Sequence, residues 1–139
     1  MKTWIDPPKK AMRTGRVLRI RQECNYPLAG GIILSTIDLF RRERGEYWAL
    51  CRDVRTLGKP VTARKKLDRD RVDLLLAKLN MLKIPALPDF DHGCDGGYTE
   101  IEIGDREGKA CYRWWDVPPR GWEELDRIIN RFVRMAGMD

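Results

Sequence analysis

At 139 residues, 42% hydrophobic and 35% charged, the chain has the make-up of one globular domain able to bury a core without metals or disulfides. No uncharged run approaches the ~20 apolar residues that span a bilayer, and the opening residues lack the apolar core of a secretory signal, so a cytoplasmic protein with no membrane partner is expected. The net charge of +6 is uneven: residues 1–66 carry 16 Lys/Arg against 6 Asp/Glu, and residues 67–139 carry 11 against 15. Such a split marks either a basic face for nucleic acid or an acidic partner, or two halves that fold against each other.

Residues 1–15, rich in Pro and Lys, are expected to form a flexible lead to a single domain over residues 16–137. Leu18, Ile20, Gln22 and Cys24 alternate with Val17, Arg19, Arg21 and Glu23, the pattern of a half-buried strand. Ile32 to Phe40 is apolar on both faces and belongs in the middle of a sheet. A charged connection through Gly45 leads to a third β-prone run, Tyr47 to Val54, so residues 16–55 predict an antiparallel meander.

Thr56 to Lys66, with Gly58, Pro60 and the cluster Arg64, Lys65 and Lys66, reads as a surface loop. A helix then starts at Asp68 or Asp70, presents Val72, Leu75, Leu76, Leu79 and Leu82 on one face, and stops at Ile84-Pro85. Residues 85–97 form a second loop. A hairpin follows whose paired residue numbers sum to 213: Ile103 meets Ala110, Ile101 meets Tyr112 and Thr99 meets Trp114, with Glu100 facing Arg113 on the other side. A final helix is predicted from Pro119, with Trp122, Leu125, Ile128, Ile129, Phe132 and Met135 or Ala136 as its buried stripe and Gly137 as its stop. The order β-β-β-α-β-β-α predicts an α+β fold, an antiparallel sheet of about five strands with both helices on one face.

Candidate sites are few. Asp89, Asp91, His92 and Cys94 gather metal-ligand chemistry in one loop, but His92-x-Cys94 is closer than a zinc pair, and Cys94 stands where a calcium loop needs its turn glycine. A metal-dependent or thiol enzyme using residues 89–95 is therefore the weakest of three readings, and no cofactor is expected. The four cysteines form no Cys-x-x-Cys and read as free thiols. No phosphate-binding glycine motif or Gly-x-Ser-x-Gly elbow occurs.

A second reading is nucleic-acid binding by Arg19, Arg21, Arg64, Lys65 and Lys66 with Trp48 as a stacking group. The preferred reading is protein binding. Trp114 and Trp115 point to opposite sides of their strand, so they cannot share one core. An exposed Trp115 beside Arg113, with Trp48 on a neighbouring strand, would form an anchor patch of the kind enriched at interfaces.

From Leu67 to Gly137 the chain runs through a Leu-rich helix, Pro85 and Pro88, Asp95-Gly96 before Tyr98, Glu100 and Glu102, then Tyr112 with Trp114 or Trp115, Pro118-Pro119 and an amphipathic helix. This order resembles that of widespread small uncharacterised bacterial α+β proteins over about half the chain. The resemblance implies a compact bacterial or phage module and carries no activity. The expectation is a non-enzymatic, cytoplasmic protein-binding module with an immunity-protein or antitoxin-like role.

Overall fold

The computed structural model describes residues 15–24, 31–84, 97–104 and 109–137. Apart from Gly15, the expected flexible lead lies outside them, as do Asp89, Asp91, His92 and Cys94. The fold is α+β: strands β1 (Arg16–Cys24), β2 (Ile32–Arg41), β3 (Tyr47–Arg55) and β4 (Val61–Leu67), helix α1 (Arg69–Met81), strands β5 (Gly97–Gly104) and β6 (Lys109–Trp115), and helix α2 (Glu123–Met135). All six strands join one antiparallel sheet in the order β4-β3-β2-β1-β5-β6.

The meander of β1, β2 and β3 forms as its apolar alternation predicts, with β2 in the interior of the sheet. The sixth strand is the one read from sequence as a loop. Val61 to Leu67 pairs residue for residue with β3, from Asp53 opposite Val61 to Tyr47 opposite Leu67. Its charges hid it, because an edge strand is half solvated and takes Lys and Arg where an interior strand takes Ile and Val. The hairpin of β5 and β6 has the predicted register, with Ile103 opposite Ala110, Ile101 opposite Tyr112, Thr99 opposite Trp114 and Glu100 opposite Arg113.

Asp68 caps α1, its Oδ1 accepting from the Arg71 N–H at 3.0 Å. Val72, Leu75 and Leu79 are buried, with Leu76 and Leu82 packed at the margin, and the helix ends at Met81, where Leu82 is already extended. The last helix begins later than Pro119 predicts. The Trp122 N–H bonds the Pro119 carbonyl at 2.9 Å, and Gly121 takes φ +94°, a left-handed conformation that a right-handed helix cannot contain. Trp122 thus leaves the stripe of α2 and becomes its N-cap, yet stays buried, edge-on to Tyr112 at 5.4 Å and to Trp114 at 5.9 Å. Glu123, Glu124 and Asp126 lie in the opening turn and Arg134 in the last, in keeping with the helix dipole.

Both helices cover the same face of the sheet. Leu18 and Ile20 of β1, Ile37 and Leu39 of β2, Ala49 and Cys51 of β3, Ile101 of β5 and Trp114 of β6 meet Val72, Leu75 and Leu79 of α1 and Leu125, Ile128, Ile129 and Phe132 of α2. Each buried Val, Leu, Ile or Phe among them contributes about 1.5–3 kcal/mol by leaving water. Among the described residues, no helix is long and apolar enough to cross a membrane.

Candidate binding surface on the open face of the sheet

Because side chains alternate along a strand, the residues between the core positions all emerge on the face that carries no helix. The pairing register arranges them in rows across the strands. One row runs Arg64, Leu50, Asp38, Arg19, Glu102, Cys111, and the next runs Thr62, Arg52, Thr36, Arg21, Glu100, Arg113. A third runs Lys66, Trp48, Phe40, Arg16, and a fourth runs Val54, Leu34, Glu23, Tyr98, Trp115.

The centre of this face is charge-paired. Arg19 grips Asp38 with two bonds, Nε to Oδ1 at 2.6 Å and Nη2 to Oδ2 at 3.2 Å, and the bonded carboxylate raises the guanidinium pKa. Arg16 approaches Asp38 at 4.0 Å and Glu102 at 3.8 Å, and Lys109 reaches Glu102 at 3.7 Å. Arg19 and Arg21 do share this face, as the alternation predicts, but Arg19 serves the sheet itself.

Two flanks are left. On the β5–β6 flank, the Arg113 guanidinium lies 4.0 Å from the centre of the Tyr98 ring, and Tyr98 stacks at 27° on Trp115 with 6.5 Å between centroids. Burial pushes the Tyr98 hydroxyl pKa up, and its hydrogen bond to Glu23 pushes the same way. On the β3–β4 flank stand Trp48, Arg52, Arg64 and Lys66, with Trp48 and Arg64 half-buried, Arg52 exposed, and Lys66 exposed but paired with Glu46 at 3.5 Å.

Trp114 is in the core and Trp115 on the open face, so the two neighbours part as strand geometry requires, but Trp115 is half-buried where the sequence suggested an exposed ring. Trp48 and Trp115 do share a face, but not neighbouring strands. β2, β1 and β5 separate them, on the order of 19 Å at about 4.8 Å per strand. The expected single patch is therefore two patches. Lys65 also leaves the cluster it forms in sequence. It pairs with Ala49 on the helix side of β4, and its Nζ lies 3.9 Å from where a Cβ on Gly137 would stand, beside the C-terminal end of α2, where a cation is favourable.

Tyr98 and Arg52 complete the flanks and were missed as site residues. The signal for Tyr98 was available, since the same sum of 213 that fixes the hairpin puts Tyr98 opposite Trp115.

The described residues also gather Glu100, Glu102 and Cys111, whose ligand atoms lie within 4.8 Å of one another. Burial and the two carboxylates push the Cys111 thiol pKa up, and Glu102 already answers Arg16 and Lys109, which disfavours the thiolate that soft metals need. Cys51 is buried with its thiol pushed up to about 11 by desolvation, the opposite of an activated nucleophile. Ser35 donates to Asp53 at 2.8 Å with no histidine beside them among the described residues. The geometry thus offers broad contact area and charge on the open face of the sheet. No family model matches the chain, and no curated protein matches it.

Proposed function

We propose that the protein is a non-enzymatic binding module whose open sheet face docks another protein. The supporting observation is the Arg113–Tyr98–Trp115 stack, in which a guanidinium and an indole of β6 both meet the Tyr98 ring of neighbouring β5 on a face that neither helix covers. Trp, Tyr and Arg are the side chains that dominate interface energetics, and rigid strands hold them with little ordering cost on association. Arg52, Arg64 and Lys66 on the other flank favour a partner whose matching surface is acidic. An immunity- or antitoxin-like role in a bacterial or phage setting agrees with this size and surface. The three free thiols among the described residues, Cys24, Cys51 and Cys111, support residence in the reducing cytoplasm.

Affinity capture from the native host tests the reading. A specific protein partner is expected with the unaltered chain and is lost with Trp115→Ala, while circular dichroism shows both folded. A partner held equally by Trp115→Ala and Trp48→Ala sinks it.

A second reading, nucleic-acid binding, is favoured by the interleaving of Trp48 with Arg52, Arg64 and Lys66. It requires binding of a random oligonucleotide at about 50 mM salt that weakens steeply as salt rises. No binding at that salt removes it.

A further inference from the structure

β4 is an edge of the sheet: it pairs with β3, and no other described element pairs with its outer side. Such a strand keeps alternate backbone N–H and C=O groups turned away from its neighbour, ready to pair. Val61, Thr62, Ala63, Lys65 and Lys66 are exposed, so the outer side is accessible along most of its length. Its two faces differ. Arg64 and Lys66 stand on the open side, Lys66 meeting Glu46 at 3.5 Å, while Val61, Ala63 and, further along, Lys65 stand on the helix side, and Val61 at 45% and Leu57 at 65% exposure add apolar surface at one end. Pairing with a second β4 would bring like charges together, which disfavours a copy of the same chain.

We propose that the outer edge of β4 accepts, as a seventh strand, an extended segment of a partner protein in which acidic and small apolar residues alternate. The acidic side chains then lie beside Arg64 and Lys66, and the apolar ones beside Val61 and Ala63, while main-chain hydrogen bonds supply the common part of the affinity. This inference rests on the protein-binding reading and adds the place and chemistry of the contact.

The test titrates the full chain with a labelled, capped peptide of alternating valine and glutamate, with a valine–lysine peptide as control. The glutamate peptide binds saturably and slows hydrogen exchange at β4 amides. Lys66→Glu weakens it by roughly tenfold and improves the lysine peptide, and Lys66→Gln has a smaller effect of the same sign should the reversal perturb folding. Failure of the glutamate peptide to bind, equal binding of the two peptides, or unchanged exchange in β4 overturns the inference. A host partner captured through Trp115 that leaves the β4 amides unprotected also overturns it, and leaves the proposed function standing.

Discussion

The Tyr47 hydroxyl donates to Asp73 Oδ1 at 2.6 Å, joining β3 to the exposed side of α1 from a ring that is itself 2% exposed. Tyr47→Phe removes this bond and leaves Asp73 able to meet water, so a loss of about 1–2 kcal/mol is expected in urea unfolding. Burial, then the bond and charge of Asp73, raise the Tyr47 pKa. The sign follows: the contribution is complete below the ordinary tyrosine value near ~10 and is lost as pH climbs through the raised value. Alkaline destabilisation is therefore shallower for Tyr47→Phe than for the parent, and parallel profiles would show that Tyr47 is not the group responsible.

Gly97 begins β5 opposite Cys24, the last residue of β1. A Cβ there would stand 1.8 Å from the Glu23 carbonyl oxygen and 2.9 Å from its carbon, both backbone atoms that cannot swing aside. Gly97→Ala is expected to cost more than about 3 kcal/mol, seen as a lower urea midpoint. A near-neutral result would mean the two strands part there without loss.

Asp38 is 8% exposed and relies on the two-pronged Arg19 bond. Arg19→Ala strands this carboxylate, with Arg16 4.0 Å away as partial compensation. Because Arg19 is itself about one-third exposed, the expected loss is discounted to about 2 kcal/mol. Asp38→Asn in the same background should recover part of it, and a double-mutant cycle with no coupling would refute the pairing.

The adjacent tryptophans separate stability from binding. Trp114→Ala opens a cavity against Trp122 and is expected to cost about 3–5 kcal/mol. Trp114→Phe should be far milder, because the Trp114 Nε1–H is buried without an acceptor and its removal relieves that deficit. Trp115→Ala, on the open face, should change the urea midpoint much less than Trp114→Ala.

Cys51, with its thiol pushed up to about 11 and its Sγ 3.9 Å from the Ala136 carbonyl, is sealed under the end of α2. Iodoacetamide at neutral pH should label exposed Cys24 and Cys111 in the native state and reach Cys51 only on unfolding. Native labelling of Cys51 at the same rate would mean that α2 lifts readily.

What could be read ahead of the structure was local. The hairpin register followed from matching Ile101 with Tyr112 and Ile103 with Ala110, since a slip of one residue would set Ile103 against Lys109. Helix α1 followed from Val72, Leu75 and Leu79 behind Asp68. The position of β1 was not legible, because its pairing with β5 depends on contacts between segments far apart in the chain, which no local pattern encodes. β4 was lost because Arg64, Lys65 and Lys66 obey edge logic instead of core logic. The spacing of Trp48 from Trp115 is likewise a property of strand order, so residue types alone suggested one patch where the sheet makes two.

The central place of β1, flanked by β2 on one side and β5 on the other, also shapes the order of assembly. As the chain leaves the ribosome, the first four strands and α1 emerge while one flank of β1 is still bare. Among the described residues, no strand before Gly97 pairs with that flank in the finished sheet. The nascent N-terminal half therefore carries a temporary adhesive seam, and swift delivery of the closing hairpin is what protects it from neighbouring chains.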